Sequence, residues 1–374
     1  MYILMLYKMA FLNLRQTSRL QWEYRSINSN IGIFHSKMIL MINQDYFKVR
    51  KRGLNMKKIV VLDGKTLGNV DYIKLNEFGQ VIYYDLTLKE EVANRIKNAN
   101  IVLTNKVVLN EENLKDTTNL ELICEMATGY NNIDIKYAKE KKIAVTNVTG
   151  YSTTTVAQHT FAMLLHLYDN ISYFDNFIKS GEYSNSVMFT NLEMPYKDLC
   201  GKVWGIIGLG NIGKRVAKIA QAFGARVVYY STSGKNADSD YARVEFDSLL
   251  KQCDIISIHA PLNKKTEGLI NYEAFAKMKK DSVLINVARG PIVVDEDLAR
   301  AIDEEIIGGA ALDVFKIEPM PSDNPLLKVK NKERLVLTPH IAWASEEARN
   351  RLFTDLLENI YAYNRGEIRN RVDV

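Results

Sequence analysis

The sequence predicts an α/β protein of two doubly wound parallel-sheet domains, and three observations lead there. The chain has 374 residues, against roughly 150 for an average domain. Its 47% hydrophobic and 25% charged content is that of a globular chain with enough apolar material for two cores. From residue 56 onward, short β-branched runs alternate with amphipathic stretches, the pattern of parallel strands covered on both faces.

Residues 1–55 stand outside that pattern. They hold nine Lys/Arg against Glu23 and Asp45, a net +7, whereas the rest of the chain has 40 basic and 42 acidic residues, a net −2. The overall basicity therefore belongs to this segment, and a nucleic-acid-binding face on the folded part is not expected. Its apolar start, residues 1–6, has Lys8 after it rather than charges before it, so it does not read as a secretory signal. Met56 opens a run resembling a natural start, and residues 1–55 are expected to be an extension without regular structure. No apolar run approaches the ~20 residues needed to span a bilayer, so no membrane partner is expected. Cys124, Cys200 and Cys253 are odd in number and lack CxxC spacing, which points to a reducing, cytoplasmic setting with neither disulfide nor zinc.

In the first series, residues 58–62, 81–84, 101–104, 122–126 and 143–147 read as buried strands, with helices over 89–97 and 110–115. The texture changes near Ser152. Thr155 with Gln158 makes a capping-box pattern at the start of one long helix to about Phe177, which Gly181 would close. A second series follows, with six strands expected at 203–207, 226–230, 254–258, 283–286, 309–312 and 335–338. The last helix, over 345–364, is expected to return to the first domain and make it discontinuous.

The first strand of the second series runs into Gly208-Leu209-Gly210-Asn211-Ile212-Gly213, with a helix over 214–222 behind it. Such a turn is short and by itself unspecific, but strand, turn, helix and next strand together mark a dinucleotide site. Gly208 permits the tight turn, Gly210 lets pyrophosphate approach the backbone, and Gly213 allows close helix–strand packing. Phosphate would sit on the exposed N–H groups of the helix start. The second strand ends Tyr230-Ser231-Thr232-Ser233-Gly234-Lys235, without the acid that would bind the ribose of NAD. Hydroxyls and a lysine can accept a 2′-phosphate, so NAD and NADP both stay open.

Three later strands end in polar residues. Arg289 follows 283–286, Asp313 and Glu318 follow 309–312, and His340 follows 335–338. That edge is where open α/β sheets bind ligands. Singly each has a plain explanation, such as an Arg289–Asp295 ion pair or a solvated Glu318. Converging there, a guanidinium, a carboxylate and an imidazole can bind an anion and move a proton.

Across residues 56–374 the chain resembles the D-isomer-specific 2-hydroxyacid dehydrogenase family. The resemblance rests on Ala127-Thr128-Gly129-Tyr130-Asn131-Asn132-Ile133-Asp134, Thr146-Asn147-Val148, Val156-Ala157-Gln158-His159-Thr160, the glycine turn, His259-Ala260-Pro261-Leu262, and the runs ending in Arg289-Gly290, Glu318-Pro319 and Pro339-His340. It looks most like the glycerate dehydrogenase/hydroxypyruvate reductase branch. The resemblance implies a Rossmann cofactor domain, residues 153–340, inserted into a discontinuous flavodoxin-like substrate domain, residues 56–152 and 341–374. It implies that Arg289, helped by amides near Thr128 and Gly129, binds the substrate carboxylate. His340 would protonate the ketone oxygen, and Glu318 would orient His340 and favour its charged form. Asp313 would bond the nicotinamide amide, while Asn211, Ile212, His259, Pro261, Thr266, Val287 and Ala288 line the cofactor cleft with Ser231 at the ribose.

The expected activity is hydride transfer between NAD(P)H and a small 2-keto acid, with hydroxypyruvate or glyoxylate favoured. A phosphoglycerate- or lactate-type enzyme, and an NAD-sensing corepressor-like binding protein, are the alternatives. His159, His166 and His35 read as structural or solvated residues, and no metal is expected. Apolar positions between Val156 and Phe177, among them Phe161, Leu164, Leu165, Leu167 and Tyr168, exceed one core-facing stripe, so a homodimer is expected.

Overall fold

The computed structural model describes residues 56–235, 238 and 240–374. The expectation for residues 1–55 lies outside them. Five strands form the first sheet: β1 (Lys58–Val61), β2 (Gln80–Tyr83), β3 (Ile101–Thr104), β4 (Leu122–Glu125) and β5 (Ala144–Thr146), in the order β2-β1-β3-β4-β5. The β1–β3, β3–β4 and β4–β5 pairs are parallel. This is the doubly wound order found in flavodoxin-like sheets. Between the strands lie α1 (Val92–Ile96), α2 (Glu111–Leu114) and α3 (Ile135–Glu140).

The side-chain period of two sorts these strands into two cores. Ile59, Val61, Ile101 and Leu103 face one cluster, while Val60, Leu62, Val102 and Ile123 face the other. Both faces are apolar because both are covered, which explains the unbroken β-branched runs.

The stretch after Ser152 differs from expectation. It forms two helices, α4 (Thr153–Tyr168) and α5 (Ile171–Lys179), parted at Asn170 with φ +49°. Asparagine tolerates that left-handed backbone, so an Asp-Asn pair interrupts what the apolar pattern suggested was continuous. The start differs too. Ser152 is the N-cap and makes no side-chain capping bond. Thr155 is in the first turn, its Oγ1 3.2 Å from Ser345 Oγ.

Seven strands, not six, build the second sheet: β6 (Val203–Ile207), β7 (Arg226–Tyr230), β8 (Ala242–Arg243), β9 (Ile255–Ile258), β10 (Val283–Asn286), β11 (Gly309–Leu312) and β12 (Leu335–Leu337), ordered β12-β11-β10-β9-β6-β7-β8. Its crossovers carry α6 (Asn211–Ala222), α7 (Phe246–Gln252), α8 (Tyr272–Lys277) and α9 (Asp295–Asp303). The unforeseen strand β8 is two exposed residues at the edge, too short for any periodic signal. The final helix, α10 (Glu346–Asn364), packs Leu352, Phe353, Leu356 and Ile360 into the core of the first sheet. Trp343, just before it, packs against the cores of both sheets. No described helix is long and apolar enough to cross a membrane.

Candidate active site

The carboxyl ends of strands from both sheets open onto one cleft of about 500 Å³. The second sheet contributes Ile212, His259, Pro261, Val287, Ala288, Arg289, Asp313 and His340; the first contributes Thr128 and Gly129 after β4. Most residues singled out in the sequence therefore meet there.

The glycine turn has the predicted physical logic. Gly208 has φ +93°, and a Cβ on it would sit 2.8 Å from the Ala260 backbone. A Cβ on Gly213 would sit 2.4 Å from Gly208 O, so the helix can approach the strand only as glycine. Gly210 is different: a Cβ there would meet nothing within 4 Å. That open space lies at the N-cap of α6, whose Asn211 is the first helical residue. A dinucleotide's pyrophosphate fits such a cradle. Ser231, at the end of β7, is buried with an Oγ that has no hydrogen-bond partner, a group suited to an incoming ribose or phosphate oxygen.

His259 and His340 are chemically unlike. Desolvation pushes the His259 imidazole down to about 3, so it is neutral; one ring nitrogen lies 3.0 Å from Ser257 Oγ, and Nδ1 has no partner. The His340 Nδ1 lies 2.7 Å from Glu318 Oε2. Burial opposes ionisation of Glu318, but the hydrogen bonds from His340 and from Phe315 N–H (3.0 Å) outweigh it and hold the carboxyl below its usual range. Of the two rings, only that of His340 has a carboxylate at hydrogen-bond distance.

Arg289 makes no ion pair with Asp295, whose carboxylate instead accepts from Asn324 Nδ2 at 2.9 Å. Its own Nη1 donates to Ala288 O at 2.7 Å. Fully buried Asn286 sets this turn, donating to Arg289 O at 2.9 Å and accepting from Ala288 N–H at 3.0 Å. Gly129 lies opposite it, and a Cβ there would sit 2.3 Å from Arg289 Nη2, so any other residue would have to displace the guanidinium. Thr128 is tied down by Oγ1 to Val148 O at 2.8 Å, and its carbonyl accepts from Asn147 Nδ2 at 2.7 Å.

Asn211, at the start of α6, is not among the cleft-lining residues, and two more residues have other surroundings than expected. Thr266 is fully buried and is not among the cleft-lining residues; its Oγ1 donates to Pro261 O at 2.7 Å and accepts from Asn263 N–H at 2.8 Å, bracing the loop that Pro261 presents. Asp313 lines the cleft but is largely engaged in structure: it accepts from Thr338 Oγ1 (2.6 Å), Ile341 N–H (2.8 Å) and Ala342 N–H (2.8 Å). His159 belongs to this network, 3.1 Å from Thr338 Oγ1 and 3.6 Å from Asp313 Oδ1. His166 is exposed, and His35 lies outside the described residues.

Sequence reasoning missed Asn105, Lys106, Tyr151 and Trp343, which also line the cleft. Asn105 and Lys106 follow the end of β3, so the strand-end rule that found Arg289 would have found them.

The profile of the D-isomer specific 2-hydroxyacid dehydrogenase NAD binding domain matches residues 161–342. A hydroxypyruvate reductase from Blautia hydrogenotrophica is 40% identical over 316 residues, 83% of this chain and 97% of that protein. Among solved structures, a D-lactate dehydrogenase from Aquifex aeolicus complexed with NAD and lactic acid superposes with a TM-score of 0.75 at 28% identity, covering 85% of this chain and 99% of that one. An acyclic imino acid reductase in complex with NADPH and D-Arg gives a TM-score of 0.75 at 29% identity, over 84% and 99% of the two chains. With two parallel sheets, a dinucleotide turn and this likeness over nearly the whole length of its relatives, the chain belongs to the D-isomer specific 2-hydroxyacid dehydrogenase family, NAD(P)-dependent oxidoreductases.

Proposed function

We propose that the protein reduces a small 2-keto acid, hydroxypyruvate or glyoxylate, to the 2-hydroxy acid. The observation that carries this reading is the 2.7 Å His340–Glu318 pair, whose imidazole lines the same cleft as Arg289, a guanidinium that no carboxylate among the described residues neutralises. Arg289 binds the substrate carboxylate in a bidentate fork, and the backbone amides at Thr128 and Gly129 close on it from the first sheet. This fixes the planar keto carbon and points its oxygen at His340. The glycine turn would hold the pyrophosphate of a reduced dinucleotide and the Val287–Ala288 edge its nicotinamide, the group that would supply the hydride. His340 donates its proton to the developing alkoxide, and the Glu318 carboxylate stabilises the imidazolium beforehand and sets its orientation. Asp313 has acceptor capacity left for a nicotinamide amide at Oδ2, which takes one donor, Ala342 N–H.

The 40% identity to a hydroxypyruvate reductase supports this choice among the family's acids. We assign residues 56–152 and 341–374 to substrate binding and 153–340 to the cofactor, and we place the activity in the cytoplasm, in keeping with three free thiols. A homodimer completes the proposal, on different ground from the one the sequence suggested. Leu165 and Leu167 of α4 pack onto the chain's own core. Among the exposed apolar side chains, Val187, Met188, Phe189, Leu192 and Tyr196 fall in one segment that a second copy would cover. The deciding experiment is turnover of a keto-acid panel with NADH and NADPH. Reduction of hydroxypyruvate or glyoxylate is expected, and tight nicotinamide binding without turnover of any acid would favour a sensing role instead.

A further inference from the structure

The cleft contains a cation for which the chemistry above has no task. Lys106 lines it from the first sheet, after β3, while Arg289 lines it from the second, after β10. Among the described residues no ion pair or hydrogen bond engages the Lys106 ammonium; only its backbone is held. One carboxylate needs one guanidinium, and the dinucleotide cradle at Gly210 belongs to the other sheet. Lys106 is therefore surplus to both.

Its backbone is fixed with unusual care. The buried Asp63 carboxylate accepts from Asn105 N–H at 2.9 Å and from Lys106 N–H at 2.7 Å, and Thr104 Oγ1 accepts from Val107 N–H at 3.1 Å. Three consecutive amides are thereby tied to side chains that are 2% and 0% exposed. Burying a carboxylate is unfavourable unless its hydrogen bonds are satisfied, and here they are satisfied by this loop. The charge of Lys106 also extends to the reacting end of the cleft, since it is one of the groups that help hold Glu318 ionised.

The stereochemistry of a keto acid supplies the missing occupant. Its planar C2 bears three substituents: the carboxylate, the oxygen and C3. With the carboxylate on Arg289 and the oxygen on His340, C3 diverges from both towards the remaining wall.

We propose that Lys106 is a specificity-determining residue whose ammonium binds an oxygen substituent on C3, so that the preferred substrate is a 2-keto acid with a polar third carbon rather than a two-carbon acid. The inference rests on the reading of the cleft as a keto-acid reductase. A hydroxyl there accepts a charge-assisted hydrogen bond from Lys106; glyoxylate, with hydrogen in place of C3, cannot.

The test compares kcat/KM for hydroxypyruvate and for glyoxylate in the full chain, Lys106→Met and Lys106→Arg, with NADH affinity by fluorescence as a control for folding. Lys106→Met should lower the hydroxypyruvate-to-glyoxylate ratio by about 10–100-fold, mostly through KM, and Lys106→Arg should restore most of it. A ratio that moves less than about threefold, or a parallel fall for both acids, would overturn the assignment of Lys106 while leaving the reductase reading in place. If the unaltered chain binds NADH and reduces neither acid, the reductase reading fails and takes this inference with it.

Discussion

The buried carboxylate of Asp313 holds the turn on which His340 is mounted. His340 has φ +53°, a backbone conformation that a non-glycine residue adopts at a cost of about 1–3 kcal/mol. Its N–H donates to Asp313 O at 2.7 Å, and the next two N–H groups, Ile341 and Ala342, donate to the two Asp313 carboxylate oxygens. One residue at the end of β11 thus supplies three acceptors to the turn after β12 and points the imidazole at Glu318.

Asp313→Asn should therefore act through geometry. The amide can keep one acceptor oxygen, but its NH2 would face an N–H donor. Breaking a buried network of this kind costs about 2–4 kcal/mol. Thermal unfolding should show a clear fall in Tm, accompanied by a loss of kcat. An unchanged Tm together with unchanged turnover would show that the turn holds itself.

Removal of the proton donor gives a different signature. His340→Ala should lower turnover by roughly 10²–10⁴-fold while NADH affinity survives. Near-normal turnover in a folded variant would refute the general-acid role. Glu318 sits below its ordinary range, so the charged pair is intact above that range and is lost as pH falls through the lowered value. Glu318→Gln should abolish that acid limb. A pH–rate profile identical to the parent's would reject the pairing.

Much of this site was legible because strand ends are legible. Arg289, Glu318 and His340 each follow a β-branched run, and parallel strands deliver their carboxyl ends to one edge whatever the loop lengths. What could not be read were relationships between distant residues. Nothing near Asp313 in sequence says that its carboxylate serves residues 338–342, and nothing near Asp63 says that it fixes Lys106. The single helix expected over 155–177 failed for a local reason, since one left-handed Asn170 outweighs a continuous apolar pattern. The excess leucines of α4 suggested a partner subunit; Leu165 and Leu167 pack against the chain's own core and stay partly exposed.

Glu125 offers a test of stability. Its side chain is fully buried, one oxygen accepts from Asn132 Nδ2 at 3.0 Å, and the other has no partner. Burial pushes its carboxyl well above the ordinary 4.5. The folded state then holds a proton that the unfolded chain releases, so this group's contribution is complete below pH 4.5 and declines as pH rises through the raised value. Glu125→Gln keeps the shape without the titration. The Tm of the variant relative to the parent should increase from pH 5 to pH 8, and a difference independent of pH would contradict the assignment.

The exposed segment around Phe189 predicts the assembly. Light scattering at micromolar concentration should give the mass of a dimer, and Phe189→Asp should weaken it. A monomer mass for the unaltered chain would remove the basis for the proposal.

Cofactor choice is the last expectation, and the structure adds one residue to it. An adenosine 2′-phosphate carries about two negative charges, which a carboxylate at the end of β7 would repel. Ser231 stands there instead, with its Oγ buried and unpartnered. Read linearly, the loop after it offers Lys235 but no arginine. In the fold, β8 brings Arg243 alongside, its Nη1 donating to Gly234 O at 3.0 Å. A guanidinium is a better phosphate partner than an ammonium, but this one is held by a backbone carbonyl and would have to share its donors. NADH and NADPH should therefore both be used, with less than about 100-fold discrimination in kcat/KM, or ~2.7 kcal/mol. Arg243→Ala should weaken NADPH binding more than NADH binding, and Ser231→Asp should shift the preference towards NADH by reinstating the repulsion. Should the unaltered chain instead prefer NADH beyond that ratio, the shape of the loop excludes the phosphate without an acid, and Ser231→Asp would then change little.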